Sequence, residues 1–382
     1  MKIAQVRVTP FVYPAQSTAT KTSQEAAAST LNTDRALLTI TTTDGHEGYA
    51  FQSPDVIRPY ILETFFKPVL LGEDCFAREK IWQALAQRQR GSAGNLTDKA
   101  ISCIDQALWD LAGRIANLPV HKLIGHYRDR ILAYASITGG DNIPGSLATP
   151  QDYARFACRL KKLGYKAIKL HGWTPARIGE IDPDKEIAAC AAVRDAVGPE
   201  MTLMLDGYHW YSRRDALYIG RALEELDFYW FEEPMNEASM SSYVWLSENL
   251  SIPVIGPETM AGKYHTRAEW AKANACDILR TGFLRSGGLT PALKTAHLAE
   301  AHGMNCEPHG SGAASVALCM AVPNCTFYER GLLHPHMDYE TPPAYLNAIA
   351  DPMDDEGFIH ASERPGLGED INLDFIKQHE IR

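Results

Sequence analysis

The chain has 382 residues, 45% of them hydrophobic, and a formal net charge of −10. This composition is typical of a globular protein, and the acidic balance argues against a nucleic-acid partner, whose binding needs a basic face. No apolar run approaches the roughly 20 residues of a membrane span. The first residues also lack the apolar segment and cleavage site of a signal peptide, so a cytoplasmic protein with no membrane or nucleic-acid partner is expected.

The eight cysteines occur singly, and none forms a Cys-x-x-Cys pair. Neither a disulfide framework nor a zinc site is therefore predicted, and the cysteines are expected to be reduced, buried side chains. Free thiols are typical of the cytoplasm, which supports the same location.

The N-terminal part of the chain predicts a small α+β domain. Strands are predicted at 3–11, 36–43 and 47–51, the last two joined by a hairpin turn at Asp44-Gly45. The polar stretch 17–32 predicts a long loop, either a floppy surface loop or a functional lid. Apolar residues with helical periodicity then predict helices at 57–68, 75–89 and 96–115.

From residue 131 onward, strand-like runs alternate with helical runs. The predicted strands are 131–135, 167–171, 202–205, 228–231, 254–255, 277–279, 305–308 and 326–328. The predicted helices are 153–163, 184–197, 213–226, 240–248, 268–273, 291–302 and 313–321. This alternation predicts an α/β fold, a modified TIM barrel of the (β/α)7β type. We predict a capping domain over 1–128, the barrel over 129–352, and a C-terminal segment, 353–382, that packs back on the cap and completes it.

Three acidic residues, Asp206, Glu232 and Glu258, each follow a short apolar run, at intervals of 26 residues. One strand, one helix and two loops take about that length, so the three carboxylates should converge at the carboxyl ends of three successive strands. Like charges at close range disfavour ionisation. A hard divalent cation bound by oxygen ligands removes that difficulty, and Mg²⁺ is the usual occupant of such a site.

These acids belong to an ordered set of motifs that resembles the enolase superfamily, specifically the mandelate racemase subgroup, which includes acid-sugar dehydratases. The motifs run from cap to tail: 104–110, Lys169-Leu170-His171, Asp206, Glu232-Glu233-Pro234, Glu258, 287–290, His309, Glu329 and 365–368. The resemblance implies one Mg²⁺ per subunit, held by Asp206, Glu232 and Glu258, which stabilises the enediolate formed when a proton α to a carboxylate is removed. Glu233 is expected to face the other side of its strand.

The resemblance implies a base on each face of the substrate. On one face the family has Lys-x-Lys, and this chain has Lys169-x-His171, with both side chains on one face of the strand. Lys169 is expected to bind the substrate carboxylate and hold the pKa of His171 near neutral, which makes His171 the candidate base or acid. A structural histidine at a loop start is the alternative.

On the other face the resemblance implies His309, supported by an Asp whose position is occupied here by Gly282. Without that Asp, His309 is expected to be less basic and to act as a hydrogen-bond donor or general acid, or to find another partner. This departure favours β-elimination of water over a racemisation with two bases. Glu329 matches the family's electrophilic acid, with a salt bridge to Arg330 or another cation as the alternative.

Four further residues are candidates for substrate binding. Tyr208 and His209 lie in an aromatic, polar segment that suits a polyol, and His209 is also a candidate extra acid. Arg280 and Arg285 could clamp a second carboxylate or a hydroxyl. Ordinary packing under the cap and surface ion pairs are the competing interpretations.

The sequence therefore predicts a hydro-lyase, a Mg²⁺-dependent dehydratase of an acid sugar, aldonate or aldarate, that eliminates the β-hydroxyl as water. The alternatives are a racemase or epimerase, a lactone cycloisomerase, or a catalytically silent metal-binding barrel. The loop 17–32 and the cap segment 87–96 are expected to set the sugar specificity. A symmetric homo-oligomer is also expected.

Overall fold

A computed structural model describes residues 1–17, 29–141, 143, 145–173 and 181–381. The chain begins with an antiparallel sheet in the order β1 (Ile3–Ser17), β2 (Ser29–Thr42) and β3 (Glu47–Gln52). Ser17 lies opposite Ser29 in the β1–β2 register. Residues 17 and 29–32 of the predicted loop therefore belong to strands, and residues 18–28 lie outside the described part of the chain.

Helices of the cap pack on one face of this sheet. They are α1 (Pro59–Ile61), a π-helical turn (Leu62–Phe66), α2 (Lys67–Leu70), α3 (Arg78–Gln89), α4 (Asp98–Ala116) and α5 (Val120–Ile124). The contact between β3 and α4 is close, because a Cβ at Gly48 would lie 2.3 Å from the Ala107 carbonyl oxygen and 2.4 Å from Leu111 Cβ. Only glycine allows this approach of strand to helix.

The second half of the chain is a parallel barrel. Its strands are β4 (Arg130–Ile137), β5 (Ala167–His171), β6 (Thr202–Asp206), β7 (Trp230–Glu232), β8 (Val254–Gly256), β9 (Ile278–Thr281), β10 (Asn305–Pro308) and β11 (Tyr328–Leu333). The intervening helices are α6 (Pro150–Lys162), α7 (Pro183–Val197), α8 (Arg213–Glu225), α9 (Met240–Asn249), α10 (Lys263–Lys272), α11 (Leu289–Ala301) and α12 (Ala313–Ala321). Strands β4 to β10 are neighbours in chain order, and β11 pairs with the other edge of β4. In the residues that the structure describes, seven helices alternate with eight parallel strands, which confirms the predicted (β/α)7β fold.

The barrel closes at a seam between β10 and β11. In the part of the chain that the structure describes, no strand ladder joins these two strands. The buried carboxylate of Glu307 on β10 bridges them instead, accepting hydrogen bonds from the backbone N–H groups of Thr326 (2.9 Å) and Phe327 (3.2 Å). A side chain thus satisfies backbone donors that a strand partner would otherwise take.

The barrel interior is layered from apolar to charged. Its lower part is an apolar cluster that includes Tyr134, Met204 and Trp230. Above this cluster, toward the carboxyl ends of the strands, lie buried charged side chains, among them Lys169 and Glu232. In barrels of this type the active site lies at that end of the strands.

The C-terminal segment contacts both parts of the molecule. Strand β12 (Phe358–His360) pairs antiparallel with β4 at the start of the barrel. Leu367 N–H donates to the buried Asp110 carboxylate of α4 at 2.8 Å, and Ile376 of α13 (Leu373–Gln378) packs in a cluster with Phe11. All eight cysteines are free thiols, and seven are buried. Within the described ranges, no helix combines the length and apolar character needed to cross a membrane.

Candidate active site at the carboxyl end of the barrel

The three predicted metal ligands lie at the carboxyl ends of three adjacent strands. In the strand register, Asp206 is opposite Glu232 on one side and His171 on the other. Glu258 comes just after the next strand, β8. The exposed fractions of Asp206, Glu232 and Glu258 are 6%, 0% and 9%. The fold therefore gathers three buried carboxylates beside one histidine.

Lys169 and Arg280 form a cationic floor beneath these carboxylates. Lys169 Nζ lies 2.8 Å from Glu232, 3.3 Å from Asp206 and 3.1 Å from Glu329. Arg280 lies 2.8 Å from Glu232 through Nε and 2.9 Å from Glu329 through Nη2. Both cations are fully buried, at 0% exposure. The sequence suggested that both residues bind substrate. In the structure they bind carboxylates of the protein itself.

The charge of this layer suits a divalent cation. Four buried carboxylates, from Asp206, Glu232, Glu258 and Glu329, face two buried side-chain cations, which leaves an excess of two negative charges. Glu232 Oε1 lies near Arg280 Nε, yet neither atom has a hydrogen bond of good geometry within the described residues. Burial raises the pKa of Glu232 even though Arg280 and Lys169 act against it. Three oxygen donors with surplus negative charge fit the ligand preference of Mg²⁺.

His171 is held from two sides. Its Nδ1 lies 2.6 Å from the carbonyl oxygen of Ile137, and its Nε2 lies 3.0 Å from Asp206 Oδ2. The Tyr153 hydroxyl donates to the His171 backbone carbonyl at 2.7 Å. Burial opposes protonation, but Asp206 outweighs burial and raises the pKa of His171. We expected Lys169 to hold the pKa of His171 near neutral. Instead, Asp206 has the larger effect and raises this pKa, while Lys169 lowers it.

His309 lies across the cavity without the Asp that the family resemblance implies. A Cβ at Gly282 would lie 3.3 Å from His309 Cβ, so the glycine does occupy the neighbouring position. His309 Nε2 is 3.4 Å from Glu258 Oε1. Burial, reinforced by Arg280 and Lys169 against the opposing charge of Glu329, lowers the pKa of His309 to about 4. The ring is therefore neutral at neutral pH and suited to donating a hydrogen bond.

Glu329 is an ionised carboxylate in this arrangement. It contacts Lys169 and Arg280 of the cationic floor and accepts a hydrogen bond from Gly310 N–H at 2.8 Å. Burial opposes ionisation, but the two cations outweigh it and lower the pKa of Glu329 well below its usual range. The predicted electrophilic role needs a protonated carboxyl, which these contacts disfavour. Its partner is not Arg330, which pairs with Glu340 at 2.8 Å.

A cavity of about 610 Å³ opens above the carboxylates. Four of the predicted residues that line it are Tyr208, His209, Arg285 and His309. The Arg285 side chain is 40% exposed, and its Nε lies 3.1 Å from Glu258 Oε1. The size is sufficient for a small polar ligand, and the lining offers polar groups from several strand ends.

Glu233 and Glu237 also belong to this site. Strand β7 ends at Glu232, and Glu233 has a φ of 37°, so the alternation of a strand does not extend to it. Its carboxylate accepts a hydrogen bond from Glu258 N–H and lines the cavity, which corrects the expectation that it faces away. Glu237 lies 3.5 Å from His209 Nδ1. No sequence pattern marks this contact, because it joins two loops.

Two family profiles match the chain. The mandelate racemase / muconate lactonizing enzyme N-terminal domain matches residues 8–125, and the enolase C-terminal domain-like profile matches residues 152–375. The chain therefore belongs to the enolase superfamily, in its mandelate racemase / muconate lactonizing enzyme family, as the resemblance predicted.

Several relatives are similar to this chain over most of their length. A crystal structure of D-glucarate dehydratase from Agrobacterium tumefaciens complexed with magnesium is 53% identical, with a TM-score of 0.96 and all of both chains covered. Arabinonate dehydratase of Saccharolobus solfataricus is 28% identical over 363 residues, 90% of each chain. D-galactarolactone cycloisomerase of Agrobacterium fabrum is 30% identical over 321 residues, 81% of each chain.

Proposed function

We propose that this chain is a Mg²⁺-dependent acid-sugar dehydratase, with Asp206, Glu232 and Glu258 as the metal ligands. The observation that carries the proposal is the register of His171, Asp206 and Glu232 on three adjacent parallel strands, which sets a base beside two ligand carboxylates. Mg²⁺ in this position supplies positive charge that stabilises the enediolate as it forms. The similar D-glucarate dehydratase structure contains magnesium, which supports the same ion here.

The side chains divide the chemistry between the two faces of the substrate. His171 takes the proton from the carbon α to the carboxylate through Nε2, because Nδ1 is committed to the Ile137 carbonyl. The β-hydroxyl then leaves as water, and the resulting enol becomes a 2-keto-3-deoxy acid. His309, as a neutral ring on the opposite side, donates a hydrogen bond to the substrate. Lys169 and Arg280 keep the surrounding carboxylates in place.

Aldarates are the first substrates to test. The relative with 53% identity is named for D-glucarate, which carries a carboxylate at each end. Arg285 is partly exposed at the cavity and lies on a different strand-end loop from His171. A guanidinium there suits a second carboxylate, since planar forked donors match carboxylate geometry.

The main alternative is lactone cycloisomerisation or racemisation. The cycloisomerase relative is as similar to this chain as several dehydratases are, at 30% identity over 81% of each chain. These reactions also begin by removing an α-proton, so the same His171 and metal ligands would serve. They differ in that no water is lost.

A panel of aldonates, aldarates and their lactones, incubated with enzyme and Mg²⁺, tests the proposal. Dehydration is read as formation of a 2-keto acid, and proton transfer alone is read as deuterium uptake from D₂O. We expect 2-keto product that disappears with EDTA or with Asp206→Asn. Asp195→Asn, an exposed position on α7, is the matched control and should keep full activity. Deuterium uptake without 2-keto product would favour the isomerase, and neither signal would reject both.

The domain bounds, the cytoplasmic location and the homo-oligomer stay predictions of the sequence.

The proposal also includes a contribution of the segments 17–32 and 87–96 to the specificity for the sugar. Gln89, in the second segment, accepts a hydrogen bond from Lys263 Nζ at 2.7 Å, and Lys263 begins the barrel helix α10. That contact brings the cap segment to the end of the barrel where the cavity opens.

A further inference from the structure

A second cavity, which we call the side pocket, opens beside His171. Its volume is about 230 Å³, and it shares His171, Tyr208 and Leu332 with the larger cavity, so the two spaces adjoin. One water molecule needs only about 10–15 Å³ of such space, so a short chain of hydroxylated carbons fits. The walls of the side pocket include Trp173, Glu186, Trp210 and Tyr211.

Glu186 is the acidic side chain of the side pocket. It lies on α7 and is 4% exposed. Its Oε1 accepts a hydrogen bond from Trp173 N–H at 3.0 Å, whereas Oε2 accepts none from any residue that the structure describes. A Cβ at Gly172 would overlap Oε2, so the glycine that follows His171 makes room for this carboxylate. One oxygen thus holds the end of β5, and the other is left as an acceptor for a ligand.

The side pocket offers aromatic faces and a hydroxyl group beside this carboxylate. Burial, with a smaller contribution from Glu186, raises the pKa of Tyr211 well above its usual range, so the Tyr211 hydroxyl stays protonated and lies near the carboxylate. No lysine or arginine is among the described residues that line the pocket. An anionic group here would meet Glu186 with neither cation to offset the repulsion, whereas a neutral hydroxyl would find an acceptor.

The active site therefore has two ends of different charge. Arg285 lies in the loop after β9, and Glu186 contacts the residues just after β5. These two strands are four places apart in the ring of eight strands that the structure describes, so they face each other across the barrel. A substrate whose carboxylate lies at the proposed metal ligands can extend toward either end.

We propose that the side pocket binds the neutral, hydroxylated end of an aldonate, with Glu186 Oε2 accepting a hydrogen bond from the terminal hydroxyl; this rests on the proposed dehydratase function. The chemistry is unchanged, because His171 acts on the carbon next to the carboxylate. The enzyme then accepts two kinds of acid sugar, aldarates that extend toward Arg285 and aldonates that extend toward Glu186. Glu186 is a specificity-determining residue, which keeps a second carboxylate out of its end of the site.

The test compares acids that differ only at the far end. For each configuration these are the aldarate, the aldonate and the terminal deoxy aldonate, beginning with D-glucarate, D-gluconate and 6-deoxy-D-gluconate. Burial raises the pKa of Glu186 to about 7, so assays at about pH 8 keep it ionised. A hydrogen bond to a charged group corresponds to a factor of about 10–100. The wild-type kcat/KM for the aldonate should exceed that for its deoxy analogue by this factor.

Glu186→Gln should reduce this preference to a few-fold. The amide keeps the shape, and its oxygen can still accept from Trp173 N–H, but the charge is lost and a neutral hydrogen bond contributes less. The kcat/KM for the aldarate, which extends away from Glu186, should stay within a few-fold of wild type. Glu200→Gln, exposed just beyond the end of α7, is the matched control and should behave as wild type with all three acids.

Three outcomes would overturn the proposal and leave the dehydratase function standing. They are a wild type that dehydrates aldarates but no aldonate, an equal kcat/KM for the aldonate and its deoxy analogue, and an equal loss on all three acids in Glu186→Gln. The last would show a purely structural role for Glu186. A wild type with neither α-proton exchange nor dehydration of any acid would instead reject the dehydratase function, and the proposal with it.

Discussion

His171 Nδ1 lies 2.6 Å from the carbonyl oxygen of Ile137 at the end of the adjacent strand β4. A carbonyl oxygen only accepts hydrogen bonds, so in a neutral imidazole the proton stays on Nδ1 and Nε2 keeps its lone pair. Nε2 is also the nitrogen beside Asp206. The strand pairing therefore sets both the tautomer and the direction in which this histidine accepts a proton.

Replacing His171 should strongly slow removal of the α-proton, the first step of the proposed reaction. We expect His171→Asn to slow both α-proton exchange and dehydration by about 10²–10⁴-fold, the usual contribution of a positioned base, while Mg²⁺ binding persists. NMR in D₂O measures the exchange and a 2-keto acid assay measures the dehydration. His302→Asn, at the exposed C-terminal end of α11, should behave as wild type. Dehydration lost with exchange retained would assign the base role elsewhere.

Replacing Lys169 should lower the stability of the metal-free protein. Lys169 is the shared cation of Asp206, Glu232 and Glu329, and breaking a buried ion pair from one side costs about 3–5 kcal/mol. We therefore expect Lys169→Met to lower the free energy of unfolding by about that amount without metal, as measured by urea titration. Mg²⁺ should restore part of the loss because it neutralises the same carboxylates. A loss no larger than that of Lys272→Met, an exposed control on α10, would contradict this account.

Strand positions were predictable wherever an apolar run is buried on both faces. Strands β5 and β10 have the predicted bounds. Strand β7 begins at Trp230, two residues later than predicted, because Phe228 N–H still bonds to the Leu223 carbonyl and closes the end of α8. The competition between a helix end and a strand start is not visible in an apolar run.

The sequence does not predict how deep in the barrel a given side chain lies. Periodicity puts Lys169 and His171 on the same face of β5, which the shared contact with Asp206 bears out. However, two residues correspond to roughly 7 Å along a strand, and this difference moves Lys169 from the cavity to its floor. The pairing of His209 with Glu237 was also out of reach, since it depends on the paths of two loops.

The buried Asp105 should make stability depend on pH. It accepts hydrogen bonds from Thr290 N–H (2.9 Å) and Oγ1 (2.6 Å), which join α4 of the cap to α11 of the barrel. Burial raises its pKa to about 6 despite those bonds. The unfolded value is about 4, so the folded state binds an extra proton between these values. The resulting stabilisation is complete below about pH 4 and is lost as pH rises through about 6.

Asp105→Asn removes this titration. The difference in free energy of unfolding between wild type and Asp105→Asn should therefore fall by about 3 kcal/mol from pH 4 to 6 and stay level above it. Denaturant titrations at a series of pH values measure that difference. A difference that stays constant with pH would show that Asp105 has the same pKa in the folded and unfolded states, which would contradict the effect of burial.

Gly282→Asp should rebuild the missing partner of His309. The φ of Gly282 is not in the left-handed region, and an added Cβ would meet the His309 carbonyl oxygen at 3.1 Å, so a small shift admits the side chain. A carboxylate beside the ring should raise the pKa of His309 by about 1–3 units. We expect more proton exchange or epimerisation relative to dehydration. Gly282→Asn, of nearly the same shape without the charge, should leave the ratio unchanged, and equal effects of both variants would rule out the electrostatic explanation.

The most direct measurement of the central claim is proton NMR of D-glucarate with enzyme and Mg²⁺ in D₂O. The account predicts loss of an α-proton signal together with growth of a 2-keto-3-deoxy acid, both abolished by EDTA and by Asp206→Asn. Persistence of every α-proton signal, for D-glucarate and for all other aldarates, aldonates and lactones tried with Mg²⁺, would contradict it.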